Sequence, residues 1–275
     1  MMMNYLYRLG AWLRHQICAW NTGGEGIHSP YLFHLVRMII SDDNRYYCWE
    51  AIEERRQAML HAPKRIDVTD YGSKGKGATY SCLVSDVARN SLQSARYAQV
   101  FFRIVNWLSH EAGRPLEIIE LGTNLGITTA YLASAATCNH VTTYEGSEAL
   151  IELAQMNWKK LGLKNIDVVP GNIDDTLFIY KGQKSKVESR KSFDFGYIDA
   201  NHTYEATTRY FDTLAKCAHE KSMVVVDDIH HSKEMERAWK WIQQRQDVTT
   251  TMDFFDFGIV FFDSHYLKRH YKLRI

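Results

Sequence analysis

The sequence predicts an α/β fold: a doubly wound, mostly parallel sheet of seven strands closed by an antiparallel hairpin and preceded by a helical extension. Three observations carry that prediction. First, Glu117–Leu121 is a short, mainly apolar run that reads as a buried strand; Gly122 and Gly126 bracket a tight loop after it, and Ile127, Ala130, Tyr131 and Ser134 recur at helical spacing. Second, strand and helix patterns alternate from there on, which implies parallel pairing with helical crossovers. Third, residues 249–254 and 258–262 form two closing β runs that read as an antiparallel pair.

Taken in order, Leu6, Leu9, Leu13, Ile17 and Trp20 fall at steps of three and four, one stripe of an amphipathic helix expected to pack on its own protein. Thr22-Gly23-Gly24-Glu25-Gly26 breaks it, and Ser29-Pro30 starts the next helix, with proline in the tolerated first turn. Tyr31, Phe33, Leu35, Val36, Ile39 and Ile40 make that helix largely buried, and residues 46–61 read as a third. The stretch from Asp70 to Gly77 nearly matches a phosphate loop, Gly72-x4-Gly77-x-Thr79, but Ala78 stands where the phosphate lysine belongs. A surface loop, or a gate with glycine hinges, is the expectation there. Ser94 opens a helix with an apolar stripe of Tyr97, Val100, Phe101, Ile104 and Leu108. The helices before it read as a helical extension over 1–90, ahead of the strand–helix units of 91–275.

Beyond the glycine loop, residues 141–145, 166–170, 193–199 and 223–227 read as strands, each followed by a helix. Residues 181–191 are a polar, mostly basic linker, read as solvated loop.

Composition narrows the function classes. Among 275 residues the net charge is +1, which offers no electrostatic case for a nucleic-acid or membrane partner. No uncharged run reaches the roughly 20 residues of a membrane span. The five cysteines are scattered without a C-x-x-C pair, as in a reducing, cytoplasmic compartment.

The glycine loop points to a nucleotide-like cofactor, because glycine lets a ligand approach the backbone and a new helix offers unpaired N–H groups. It is not a dinucleotide loop: Asn124 replaces the middle glycine of G-x-G-x-x-G, and Ile127 the last. Glu120, near the end of the strand, would repel a pyrophosphate and suits a cofactor with positive charge, such as the sulfonium and ammonium of S-adenosylmethionine. Glu145 ends the next strand, where an acid accepts hydrogen bonds from ribose hydroxyls.

The run Glu120-Leu121-Gly122-Thr123-x-x-Gly126-x-Thr128 resembles the first motif of class I S-adenosylmethionine-dependent methyltransferases, closest to the small-molecule O-methyltransferase branch. The run Ile198-Asp199-Ala200-Asn201-His202-x-Tyr204 resembles that branch's Ile-Asp-Gly-x-His-x-Tyr, with Ala200 in place of glycine. Ser94-x-x-Tyr97-Ala98-Gln99 is similar to the helix that precedes the core of small O-methyltransferases, so the resemblance implies a Rossmann-like methyltransferase sheet in a catalytic domain over 91–275, with the extension over 1–90 expected to cap the substrate pocket. It implies cofactor contacts from Glu120, Gly122, Thr123, Gly126, Thr128, Glu145, Gly146, Ser147, Asn172, Ile173 and Asp199. Asp199, Asp227 and Asp228 end two central strands, and three bare carboxylates repel one another unless neutralised. A divalent cation such as Mg²⁺ is one solution, since catechol-type and caffeoyl-type relatives place metal ligands at matching positions. The other reading needs no metal: Asp199 meets the cofactor's amino group and Asp228 caps a helix starting at His230. His202, where catechol-type relatives carry a lysine base, is the candidate catalytic base. The implied partner is a small-molecule hydroxyl acceptor, with homo-oligomers allowed. The alternatives are an N-methyltransferase, which would want a [DNS]-P-P-[YF] motif that Asp199-Ala200-Asn201-His202 lacks, and an inactive cofactor-binding module.

Overall fold

The computed structural model describes residues 2–21, 24, 26–72, 77–177 and 192–275. The basic linker over 181–191 and the centre of the glycine–lysine loop, 73–76, lie outside the described residues. In chain order the elements are α1 (Met2–Cys18), β1 (Trp20–Asn21), α2 (Pro30–His34) continuing into a π-helical stretch (Leu35–Ile40), α3 (Cys48–Leu60), β2 (Arg65–Asp70), β3 (Ala78–Leu83), α4 (Val84–Ser91) and α5 (Ala95–Ala112). They continue as β4 (Glu117–Leu121), α6 (Ile127–Ser134), β5 (His140–Glu145), α7 (Glu148–Leu161), β6 (Ile166–Pro170), α8 (Ile173–Thr176), β7 (Phe193–Ile198), α9 (Tyr204–Ala215), β8 (Ala218–Asp227), α10 (Lys233–Gln244), β9 (Thr250–Asp253), β10 (Phe257–Phe261) and β11 (Arg269–Arg274). Contacts divide the chain into two compact units, Met1–Asp42 with Ser185–Ile275, and Asp43–Lys184.

In the unit Asp43–Lys184, β4, β5 and β6 pair in parallel, with Leu121 opposite Tyr144 and Glu145 opposite Pro170. The glycine loop after β4 and the acid ending β5 therefore leave the same edge. Helix α5 begins where the Ser94 side chain accepts the Tyr97 N–H, and it ends at Gly113 in the left-handed conformation. A β-hairpin stands where the sequence reading has only a loop: β2 and β3 pair antiparallel from Arg65↔Leu83 to Asp70↔Ala78. The strand signal is weak because β3 is mostly exposed and only Ile66 and Val68 of β2 turn inward. Those two residues join Met59, Val84, Ala88, Leu125, Leu150 and Leu153 in one buried cluster. Burying them stabilises the hairpin against α7 by roughly 25 cal/mol per Å² of apolar surface removed from water.

In the other unit the strand order is β1-β11-β9-β10-β8-β7. β7 and β8 are parallel, β10 runs antiparallel to both β8 and β9, and β11 and β1 add parallel strands at the edge. The antiparallel pair expected from the sequence is β9 and β10. The edge strands escape the sequence reading because β1 is two residues long and β11, Arg-His-Tyr-Lys-Leu-Arg, buries only Leu273.

Two packing expectations are corrected here. α1 buries Ala11 and His15, followed by Ala19 just past its end, while Leu9, Leu13 and Ile17 of the apolar stripe stay exposed, Ile17 at 83%. The buried face is chosen by a polar contact: His15 Nε2 lies 3.2 Å from a carboxylate oxygen of Asp253 on β9. In α2 and its continuation Leu32, Leu35, Val36 and Ile40 are buried, but Phe33 is exposed. Ser29 caps α2 as expected, its side chain accepting the Leu32 N–H.

One close approach sets a stability prediction. A Cβ on Gly258 would lie 2.3 Å from Cη2 of the buried Trp239 on α10. Gly258→Ala forces that ring from its seat and should destabilise the protein by about 1–3 kcal/mol, as overpacking does. A chemical-denaturation midpoint unchanged from wild type would refute this.

Candidate active site

The glycine loop and the acid that ends β5 lie in the unit Asp43–Lys184. Gly122 (φ 100) and Gly126 (φ 71) take conformations that glycine adopts without strain, and Asn124 (φ 51) joins them as a rarer non-glycine case. A Cβ on Gly126 would meet Trp158 Nε1 at 2.6 Å, and that indole donates to the Gly126 carbonyl at 2.8 Å. Asn157 Nδ2 donates to the Leu125 carbonyl at 3.0 Å, so α7 clamps the loop from behind. The Gly122 and Thr123 N–H groups both donate to the Tyr144 carbonyl.

Glu145 is the organising group. One carboxylate oxygen accepts the Asn124 N–H and the other the Ser147 N–H, each at 2.9 Å. Burial raises its pKa, against the opposing pull of the Ser147, Asn124 and Gly146 N–H groups. Each oxygen still has a lone pair for a hydroxyl donor, which is the chemistry a ribose diol needs.

Three cofactor expectations change. Glu120 is fully buried and accepts from Thr129 Oγ1 at 2.5 Å and Thr143 Oγ1 at 2.6 Å. It braces β4 to α6 and β5 from inside rather than lining a binding surface. Ser147 stands at the N-cap of α7 without a side-chain cap hydrogen bond; its Oγ accepts the Thr69 N–H of the hairpin at 3.3 Å. Asn172 caps α8 instead of standing ready for a base edge, its Oδ1 accepting the Asp174 N–H at 3.1 Å. Thr123 and Thr128 are buried in the loop and the first turn of α6, with Thr123 Oγ1 2.6 Å from Thr143 Oγ1, and Ile173 is buried in α8.

The second cluster lies in the other unit, where β7 and β8 end together. Tyr197 projects from β7 two residues before Asp199. Its hydroxyl is 3.2 Å from Asp199 Oδ2 and 3.0 Å from Asp227 Oδ2. His202 Nε2 lies 3.1 Å from Asp199 Oδ1, and its Nδ1 faces Asp228 Oδ2 at 3.9 Å. Asn201 (φ 59) and Asp228 (φ 55) both hold left-handed conformations, a cost that fixes where the neighbouring side chains aim. Burial alone would lower the His202 pKa, but the hydrogen bond and charge of Asp199, with Asp228 and Asp227 behind it, outweigh burial and lift it to about 9. Burial and the charges of Asp199 and Asp228 push the Asp227 carboxyl well above its usual range.

The three aspartates and His202 thus converge as expected, and Tyr197 joins them. Strand alternation could have shown it, since residues two apart share a face. Asp228 does not cap a helix at His230: α10 begins at Lys233 under Ser232, and the Asp228 carbonyl accepts the His231 N–H at 2.9 Å. His230 turns away to Asp253, 2.8 Å distant.

Among the described residues no group of three or more His, Cys, Asp or Glu side chains is arranged to hold a metal ion. Asp199 and Asp227 share the Tyr197 hydroxyl, and an imidazolium balances the carboxylates where a hard cation would need converging oxygens. As placed, Asp199, Asp227 and Asp228 do not fit the expected divalent cation.

Comparison with known proteins agrees with this architecture. Residues 119–229 match the family model of a methyltransferase domain, a span running from β4 to just past Asp228. No curated protein matches the chain. It is similar to the O-methyltransferase TomG from Streptomyces achromogenes, solved with S-adenosylmethionine, at 17% identity and a TM-score of 0.56, over 89% of this chain and 97% of that one. It is similar to an O-methyltransferase from Bacillus cereus in complex with S-adenosylhomocysteine, at 18% identity and a TM-score of 0.54, over 80% and 92% of the two chains. It is also similar to the S-adenosylhomocysteine-bound methyltransferase PaMTH1 from Podospora anserina, at 12% identity and a TM-score of 0.55, over 79% and 93%. The fold is therefore the Rossmann-like methyltransferase fold, with residues 119–229 matching a methyltransferase domain. No helix among the described residues is long and apolar enough to cross a membrane.

Proposed function

We propose that the protein is an S-adenosylmethionine-dependent methyltransferase acting on a hydroxyl of a small molecule. The observation that carries this reading is Glu145, held by two backbone N–H groups at the rim of the glycine loop with acceptor capacity left for a diol. When bound, S-adenosylmethionine supplies a methyl group made electrophilic by its sulfonium. The chain's own tasks are to hold that donor, align the acceptor and take up the hydroxyl proton as oxygen bonds to the methyl carbon and the carbon–sulfur bond breaks. His202 is the group assigned to the proton. Asp199 orients its ring, and Tyr197 ties Asp199 to Asp227.

Acceptor choice is assigned to residues 1–90, the extension that precedes the catalytic region 91–275. Cysteines scattered along the sequence without a C-x-x-C pair fit a cytoplasmic setting. Assistance by Mg²⁺, expected from the sequence, is judged by chelation, since the aspartates as placed give it no ready site.

The test pairs binding with turnover. S-adenosylhomocysteine should raise the melting temperature by mass action, by more than NAD does. A panel of phenols and other hydroxyl compounds with labelled S-adenosylmethionine should then yield at least one methyl ether. Stabilisation without transfer to any hydroxyl or amine would favour the binding module, and transfer only to amines the N-methyltransferase.

A further inference from the structure

We propose that Tyr71, carried at the end of β2, is a cofactor-positioning residue whose ring takes the place of the side chain Gly146 lacks and walls the adenosine end of the cradle. Gly146 directly follows Glu145. A Cβ built on it would lie 2.3 Å from Cδ2 and 2.7 Å from Cε2 of Tyr71. The ring therefore fills space that any other residue at 146 would claim. Tyr71 is 40% exposed, so the residue is not sealed into the core.

The placement is built rather than incidental. Next to Gly146, the Ser147 Oγ accepts the Thr69 N–H from the strand that leads into Tyr71, at 3.3 Å. Ile66 and Val68 of that strand are buried with Leu125 of the glycine loop and Leu150 and Leu153 of α7. On the far side of Tyr71, the Gly72 N–H donates to Asp70 Oδ1 and the Gly77 N–H to the Asp70 carbonyl, both at 2.7 Å. Three consecutive residues at the end of β5 thus each have a fixed neighbour: Glu145 has Asn124, Gly146 has Tyr71, and Ser147 has Thr69. An aromatic ring beside an acid with room for ribose hydroxyls presents a π face or edge to the attached purine, a sequence-tolerant contact of useful strength.

The inference rests on reading Glu145 as the cofactor acid, and the experiment separates the two. Binding of S-adenosylhomocysteine to the full chain is measured by calorimetry for wild type, Tyr71→Phe, Tyr71→Ala, Gly146→Ala and the double variant Tyr71→Ala/Gly146→Ala. Ligand-free melting curves check that each variant folds. Tyr71→Ala should weaken binding by roughly tenfold or more, and Tyr71→Phe, which keeps the ring, by no more than about twofold. Gly146→Ala, whose methyl displaces the ring, should weaken binding as Tyr71→Ala does. The double variant should be no weaker than the worse single, because both changes remove one contact. Binding by Tyr71→Ala as tight as wild type, or tighter, overturns the inference and makes the ring a plug. No binding by wild type overturns the reading of the cradle itself, and this inference with it.

Discussion

Glu145→Ala will abolish the thermal stabilisation that S-adenosylhomocysteine gives the wild-type protein. The carboxylate is asked to accept two ribose hydroxyls, and a hydrogen bond to a charged group contributes about 1.5–3 kcal/mol. Two such bonds correspond to a loss of roughly 10²–10⁴ in affinity. Alanine also releases the Asn124 and Ser147 N–H groups, so the glycine loop loses its tie to the end of β5. Glu145→Gln separates the two effects. Burial raises the Glu145 pKa, so the fold disfavours the ionised form. A raised carboxyl pKa favours the fold fully below the unfolded pKa, and that advantage is lost as pH rises through the folded value. At neutral pH the charge is therefore a standing cost of a site kept ready for its ligand. Glu145→Gln removes the charge but keeps one oxygen for a backbone N–H, so without ligand it should melt no lower than Glu145→Ala, yet gain less from S-adenosylhomocysteine than wild type. A full ligand-induced shift in Glu145→Ala would remove Glu145 from the cofactor site.

The order of strands and helices from β4 to β10 could be read from the sequence because buried parallel strands are short apolar runs and their crossover helices keep an apolar stripe. The same rule failed where its premise failed. β3 and β11 are largely exposed, so neither carries the signal. α1 carries an apolar stripe that the structure leaves outside, because its docking is set by His15 against Asp253, a polar pair that periodicity does not register. Among the site residues, those on motif spacing were legible and their contacts were not. Glu120 and Glu145 are both acids at parallel strand ends. Burial under Thr129 and Thr143 turns the first into a brace, while backbone donors at the rim leave the second open. Tyr71 was invisible for another reason: its partner Gly146 is distant in sequence and marked only by the absence of a side chain.

His202→Ala will lower the turnover number by roughly 10²–10⁴, the range of a positioned general base, with S-adenosylhomocysteine affinity nearly unchanged. The pH profile carries the sharper claim. Asp199, Asp228 and Asp227 hold the imidazolium, so the ring gives up its proton only near pH 9. The neutral ring is the base; turnover should therefore rise with pH through neutrality and level off near that value. The raised pKa also means that the His202 contribution to stability is fully present below the ordinary histidine pKa and lost as pH rises through about 9. Asp199→Asn removes the neighbouring charge and the hydrogen-bonding carboxylate at 3.1 Å, so the inflection should move towards the ordinary histidine value while the maximal rate falls. Tyr197→Phe should act in the same region by freeing Asp227 and Asp199 from their shared donor. Chelator is the control for the aspartates. With His202 balancing their charge, activity should survive chelation; its loss, restored by Mg²⁺ or Mn²⁺, would return Asp199, Asp227 and Asp228 to a cation. An alkaline inflection that persists in His202→Ala would remove His202 as the base and leave His231, 3.7 Å from Asp228, as the next candidate.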